Sequence, residues 1–451
     1  MLRFGTDGVR GDADAVLTSV SIRALGRALA RAIRPSAFLI GRDTRLSGPR
    51  ISSALAAGLA DEGVAAVDLG VLPTPALASA AAARALPALV VSASHNPWTD
   101  NGVKVIGADG YKPPDATEAA IENHLVDALA EPIPGAASEP VGPGPGATVG
   151  DAAVTDAYLA HLATARGGRA LDGMTIAVDC ANGAATVVGP AALRAAGASF
   201  TVIGADPDGT NINACCGATH PEPLAALVRE RGADMGLAFD GDADRVIAVD
   251  EQGSVVDGDA IMVALALDLH ERGELAGDAV VVTVMSNLGL HRALGAAGVS
   301  VIETPVGDRH VVAAMRERGA GLGGEQSGHI VFAKHATTGD GILTGLLLAD
   351  LVRRSGRPLS ALAAVMTRFP QHLVNVRVEP GRALADSPHL GFAVAEAERE
   401  LGAEGRVLVR TSGTEPLVRI MVEAASAATA ESVAERLRAV VSAELGRPDG
   451  P

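Results

Sequence analysis

The stretch that decides the fold is Ala88-Leu89-Val90-Val91-Ser92-Ala93-Ser94-His95-Asn96-Pro97. Its first four residues are an apolar run that reads as a short buried strand. The run stops at Ser, His, Asn and Pro, which is turn chemistry. A hydroxyl is thus delivered on a loop at the end of a core strand, where α/β sheets usually place their ligands. The competing reading is that Ser94 caps the next element, since serine is common at helix starts.

Working outward, the same alternation recurs. Upstream, 3–11 is glycine-punctuated and polar and reads as a loop. A helix over about 21–33, a strand over 37–40 ending in Gly41-Arg42-Asp43-Thr44-Arg45, a helix near 50–61, a strand over 64–69 and a helix near 76–85 follow. Strands alternating with helices imply βαβ units and a largely parallel sheet. Downstream, 131–150 holds five Pro and five Gly, so it reads as a linker and a domain boundary. A second block places strands at Thr175–Asp179, Ser199–Ile203 and 234–239 with helices near 191–196 and 223–231. A third has helices over 260–269 and Asp308–Arg318, strands over 279–284, 299–303 and Ile330–Phe332, and an apolar helix after Asp340. A smaller block from about Phe369 has strands over 373–378, 407–409 and 417–422 and helices near 394–401 and 431–445.

At 451 residues the chain suggests about three or four domains. With 48% apolar and 20% charged residues it can bury a large core, and with 2% aromatics that core is mainly Ala, Val, Leu and Ile. A formal charge of −16 argues against a nucleic-acid-coating protein or a binder of anionic membranes, without forbidding an anionic substrate at a local Arg cluster. No secretory signal or membrane-spanning run is read. Cys180, Cys215 and Cys216 form neither a disulfide framework nor a zinc motif, and a reducing cytoplasm fits best.

Three more loops stand out. Asp240-Gly241-Asp242-Ala243-Asp244-Arg245 follows an apolar strand; three carboxylates at alternate positions repel one another unless neutralised, and a hard divalent cation is the natural remedy. An EF-hand is disfavoured because Arg245 stands where the sharp turn needs glycine and the flanks read as strands; a solvated acidic turn is the other alternative. Arg410-Thr411-Ser412-Gly413-Thr414-Glu415-Pro416, with Arg419 nearby, offers a guanidinium, hydroxyls and backbone N–H groups suited to phosphate, or else is an ordinary hairpin. Gly323-Gly324-Glu325-Gln326-Ser327-Gly328-His329 sets polar groups among glycines, suited to sugar hydroxyls or to a plain turn.

Taken together, with Phe4-Gly5-Thr6-Asp7-Gly8-Val9-Arg10, these motifs make the chain resemble the α-D-phosphohexomutase superfamily, and within it the bacterial phosphoglucosamine mutases. The resemblance runs from Phe4 to about Val422. Asn211-Ile212-Asn213, the segment 216–222 and Gln326 look like the phosphoglucosamine mutase branch. The resemblance implies a four-domain, heart-shaped α/β enzyme, three similar α/β domains (1–150, 151–253, 254–367) and a smaller α+β domain (368–451) around one cleft. It implies phosphorylated Ser94, with Asp240, Asp242, Asp244 and that serine's phosphate holding Mg²⁺. His95, Lys104 and Arg245 join Ser94 as catalytic residues, with proton transfer assigned to His95 and Lys104. Thr6, Arg10, Glu325, Ser327, Arg410, Ser412, Gly413, Thr414 and Arg419 would bind substrate. His310 is left out, because related phosphomannomutases often have His in the loop where this chain has Gly307-Asp308-Arg309-His310.

The implied activity interconverts glucosamine 6-phosphate and glucosamine 1-phosphate through glucosamine 1,6-bisphosphate, feeding UDP-N-acetylglucosamine synthesis. Hexosamine or glucose 1,6-bisphosphate would serve as activator. The expected partners are a phosphosugar and a second copy in a homodimer, with no nucleic acid and no membrane, in the cytoplasm. The runner-up is a phosphomannomutase/phosphoglucomutase; a non-catalytic phosphosugar sensor and an aspartyl phosphatase are further alternatives.

Overall fold

In the computed structural model of the chain, residues 2–5, 7–132, 151–379, 384–411 and 416–446 are described. They form two compact units, one of residues 1–283 and 299–364, the other of 284–298 and 365–451.

The first unit contains three sheets. Strands β1 (Val9–Asp12), β2 (Ala37–Arg42), β3 (Ala65–Val71), β4 (Ala88–Val91) and β5 (Asp100–Ile106) lie in the order β1-β5-β4-β2-β3. β6 (Thr175–Asp179), β7 (Ser199–Ile203), β8 (Met235–Phe239), β9 (Val246–Asp250) and β10 (Val255–Val256) lie in the order β10-β9-β8-β6-β7. β11 (Ala279–Thr283), β12 (Ser300–Thr304), β13 (Leu322–Gly324) and β14 (Ile330–Phe332) lie in the order β12-β11-β13-β14.

Each sheet repeats one device. A central strand pairs in parallel on one side and is followed by an antiparallel return strand on the other: β4 by β5, β8 by β9, β13 by β14. The three returns carry the Ser94, Asp240 and Glu325 loops. β4 and β8 are buried at every position, which is why they read as continuous apolar runs rather than alternating ones. The sheets are therefore mixed, not largely parallel. β14 is the strand expected over Ile330–Phe332, whereas β5 and β9 are not among the expected strands; β5 opens on Asp100-Asn101-Gly102, residues typical of turns. The segment 3–11, expected as loop, runs into the edge strand β1 from Val9 onward, whose residues pair with Asp100–Val103. The helices Asp115–Ala130 and Ala152–Ala165 were likewise not anticipated. From 133 to 150 the expected linker lies outside the described residues.

The second unit is a three-stranded antiparallel sheet of β15 (Gln371–Arg377), β16 (Gly405–Thr411) and β17 (Leu417–Ala424), ordered β15-β17-β16. Helices Leu390–Leu401 and Ala427–Leu445 cover it, burying Leu390, Leu401, Val433, Leu437 and Val441 against Val376, Ile420 and Val422.

One buried polar pair ties the first unit together. The Tyr158 hydroxyl donates across both carboxylate oxygens of Asp340, at 2.7 and 2.8 Å, and Asp340 also caps helix Gly341–Ser355 by accepting from Leu343 N at 2.9 Å. Burial pushes the Asp340 carboxyl from 3.8 up to about 6, against the pull of these hydrogen bonds. A raised carboxyl favours folding most below its unfolded value, and the contribution is lost as pH rises through the folded one. Asp340 therefore makes stability fall between about pH 4 and 6, by roughly 3 kcal/mol. Asp340→Asn keeps an oxygen for the cap and for Tyr158 but cannot ionise. Relative to wild type it is expected to gain stability from pH 4 to pH 7, measured by denaturant midpoints; parallel pH profiles would contradict the assignment.

Candidate active site

Ser94 follows β4 at φ 53°, in the left-handed region, and is fully buried. Its amide donates to Ser92 Oγ at 2.9 Å, and Ser92 Oγ donates to Asp43 at 2.6 Å. The hydroxyl does not cap a helix. It donates to Asp240 Oδ2 at 2.6 Å, across 146 residues of sequence.

Asp240 directly follows β8, and Asp242 and Asp244 come next in the turn before β9. A carboxylate oxygen from each lies within 4.8 Å of the others, and all three residues are buried. In the same cluster Asp242 Oδ1 and Asp244 Oδ1 are buried without a hydrogen-bond partner. A buried cluster of carboxylates with unused lone pairs suits a hard divalent cation. The flanking strands also exclude the EF-hand reading. Burial, then the charges of Asp244 and Asp242, push Asp240 well above the usual carboxylate range. Burial acts the same way on Asp244, but Lys104, His329 and Arg245 more than offset it and hold the group well below that range.

Lys104 is the main counter-charge. It lies on β5 opposite Val90 of β4, so the strand that returns from the Ser94 loop aims its side chain at the carboxylates. Its Nζ is 2.8 Å from Asp242 Oδ2, 3.0 Å from Asp244 Oδ2 and 3.1 Å from Asp7 Oδ2. Burial alone would lower the ammonium's pKa; the three carboxylates override it and keep Lys104 charged. His95 Nδ1 lies 3.4 Å from Ser94 Oγ and 3.2 Å from Arg245 Nη1. Arginine only donates, so Nδ1 is the acceptor nitrogen of a neutral ring. Burial, then Arg245 and Arg10, push its pKa down to about 4. Near pH 7 His95 thus has no proton to give at Nδ1. For Arg245 burial works against the charge, but Asp244, Asp240 and Glu325 push its pKa up. Arg10, on β1, pairs with Asp7.

The Glu325 loop docks on the carboxylate loop through the backbone. Gly328 O accepts from Val246 N at 3.1 Å, and Gln326 O accepts from Gly258 N at 3.0 Å. Glu325 Oε1 accepts from Gly307 N at 3.2 Å, and Ser327 Oγ lies 3.5 Å from Glu325 Oε2. Ser94, His95, Lys104, Arg10, the three aspartates, Arg245, Glu325 and Ser327 thus come from three sheets of one unit. Arg410 and Arg419 belong to the second unit, where they face each other in the β16–β17 ladder. Burial, then Arg419, lowers the pKa of Arg410. Thr6, Ser412, Gly413 and Thr414 lie outside the described residues.

Four profiles described as Phosphoglucomutase/phosphomannomutase match the chain: the alpha/beta/alpha domains I, II and III at residues 1–130, 156–253 and 257–369, and the C-terminal domain at 373–440. The phosphoglucosamine mutase of Saccharopolyspora erythraea is 51% identical, over 98% of this chain and 99% of that one. That of Frankia alni is also 51% identical, over 99% of each. The chain belongs to the phosphoglucosamine mutase family. It is an isomerase with the four-domain α/β architecture of the phosphohexomutases. A crystal structure of a phosphoglucomutase/phosphomannomutase family protein from Burkholderia thailandensis superposes with a TM-score of 0.79 at 27% identity, covering 99% of this chain and 98% of that one. Among the described residues no helix is long and apolar enough to cross a membrane.

The sequence motifs do not point to Thr74 or to a task for His329. Thr74 Oγ1 donates to Asp242 Oδ2 at 2.6 Å. His329 Nε2 accepts from Gly339 N at 3.0 Å, which sets the ring proton on Nδ1, 3.6 Å from Asp244 Oδ2. His329 sat inside the quoted glycine-rich loop, but nothing local to that loop points to Asp244. Thr74 heads a helix after Pro73 and looks like an ordinary helix start.

Proposed function

We propose that this enzyme interconverts glucosamine 6-phosphate and glucosamine 1-phosphate by carrying a phosphoryl group on Ser94. The observation behind this is the 2.6 Å bond from Ser94 Oγ to one carboxylate of a buried triad whose other members keep unpartnered oxygens. A nucleophile is built into the wall of a cation site. Asp240, Asp242 and Asp244 would hold Mg²⁺, which supplies positive charge to the transferring phosphoryl group.

A phosphate cannot cross the sugar ring from O6 to O1 directly. The phosphorus–Oγ bond of phosphoserine breaks as a phosphorus–O1 bond forms, and the proton of the sugar hydroxyl ends on Ser94 Oγ. The bisphosphate turns over, the phosphate on O6 returns to Oγ, and O6 recovers a proton as glucosamine 1-phosphate leaves. Lys104 and Arg245 neutralise charge around the reacting group, and His95 stays neutral beside it. A 1,6-bisphosphate would reload a dephosphorylated Ser94. Arg410 and Arg419 are assigned to the phosphate that does not react. Thr6, Ser412, Gly413 and Thr414 would complete the contacts to the sugar phosphate. Three free cysteines accord with work in the cytoplasm.

Glu325 is proposed to select the amino sugar. The amine is largely protonated at pH 7, and a charge-assisted hydrogen bond is worth about 1.5–3 kcal/mol against about 0.5–1.5 for a neutral one. Side-by-side kcat/KM on glucosamine, glucose and mannose phosphates should favour glucosamine by roughly ten-fold. Equal turnover of glucose 1-phosphate would instead make the chain a phosphoglucomutase/phosphomannomutase in practice.

A further inference from the structure

Ser94 is held at φ 53°, a left-handed backbone conformation that side chains with a Cβ disfavour. Something must keep it there, and two side chains do. The Ser94 carbonyl accepts from Arg45 Nη2 at 2.9 Å and from Asn213 Nδ2 at 2.9 Å. The Asn96 carbonyl accepts from the same two nitrogens, at 2.8 and 3.1 Å. Arg45 has no other task. It is fully buried, its Nη1 donates to the carbonyls of Pro97 and Asp100, and its Nε donates to Asp43 Oδ2 at 2.9 Å. Every N–H of the guanidinium is therefore spent on the loop or on the carboxylate that also receives Ser92.

Asn213 arrives from the second sheet's side of the unit. It is itself left-handed, at φ 56°, and is anchored by its amide to Ala181 O at 2.9 Å. Both hydrogens of its side-chain amide go to the serine loop. Gly241 closes the same spot: a Cβ there would stand 2.5 Å from Ser94 O and 3.1 Å from Asn213 Nδ2. The carboxylate turn thus packs directly on the carbonyl that Arg45 and Asn213 grip.

We infer that Arg45 and Asn213 are positioning residues that clamp the Ser94 loop from two sides and hold Oγ in line with the carboxylate triad. The inference rests on the reading of Ser94 as phosphoryl carrier. Every side-chain N–H of the two residues is committed to the loop or to Asp43, so none is left to donate to the sugar and the clamp acts on the chemical step, not on substrate capture. Misplacing a reacting atom by about 1 Å costs on the order of 100-fold in rate.

Two replacements isolate the clamp. Asn213→Asp is isosteric, tolerates a positive φ and turns both donors into acceptors facing two carbonyls; Asn213→Gly removes the amide and leaves the backbone at ease. Both are expected to lower kcat by about 10- to 100-fold with KM for glucosamine 6-phosphate within about three-fold, and to slow single-turnover transfer from phosphorylated enzyme equally. Unchanged kcat in either folded variant overturns the clamp. So does a rise in KM that accounts for the loss, or failure of Asn213→Gly to fold, because either marks a binding or purely structural role. Peptide mass spectrometry of bisphosphate-treated wild type separates the premise: no phosphate on Ser94 overturns the carrier reading, and the clamp with it, whereas phosphate on Ser94 with intact kcat in the variants overturns the clamp alone.

Discussion

Ser94→Ala is expected to lower mutase turnover by roughly 10⁴-fold or more while the protein keeps its fold. The size follows from the role: a carrier that loses its only acceptor atom has no slower version of the same path. The fold should survive because alanine accepts the same backbone. Ala85, Ala181 and Ala243 already sit at φ 49°, 53° and 58° in this chain. The Arg45 and Asn213 bonds are made to carbonyls and do not need the hydroxyl. What is lost is the donor to Asp240 Oδ2, which leaves a buried acceptor unpaired at a penalty of about 1–3 kcal/mol. Part of that should return when a divalent cation is added. A coupled mutase assay, with mass spectrometry after incubation with glucose 1,6-bisphosphate, checks the claim. Residual turnover above about 1% in a contaminant-free sample would rule out Ser94 as the sole carrier.

Two of the central strands, β4 and β8, were legible with their loops because each is an apolar run, buried at every position, broken by residues with no apolar role; β13, only Leu322-Gly323-Gly324, has no such run. Ala88–Val91 before Ser92 and Met235–Phe239 before Asp240 could be read for that reason. Return strand β5 could not, since its buried residues Asn101, Gly102 and Lys104 serve the site and do not resemble a strand core. The same physics hid Arg45 and Asn213. Each works by hydrogen bonds to backbone carbonyls about 50 and 119 positions away, and a carbonyl leaves no mark in composition. Asn213 stood in a segment that looked like one branch of the family, without a task attached. His95 was assigned general acid/base work from its place beside Ser94; what lowers its pKa, burial first and then Arg245 and Arg10, comes from the carboxylate turn and β1 and leaves no local mark.

Lys104→Met is the second large effect, and it separates charge balance from proton transfer. The ammonium is 4% exposed and meets Asp242, Asp244 and Asp7 within 3.1 Å. Methionine fills most of the same volume, so the change is mainly of charge. Three carboxylates are then left buried beside Asp240 with one counter-ion fewer, and breaking such a buried pairing costs about 3–5 kcal/mol. Without divalent cation the variant should melt roughly 5–15 °C below wild type. A bound cation would supply the missing charge, so added Mg²⁺ should raise Tm in the variant by more than it does in wild type, where Lys104 already answers the repulsion. Activity should stay down by about 100-fold or more at saturating Mg²⁺, because the donor facing the transferring group does not return with the charge. Equal Tm values in chelator, or equal Mg²⁺ increments in the two proteins, would remove Lys104 from the charge balance of the triad. Recovery of full activity with Mg²⁺ would leave it a structural counter-ion and no more.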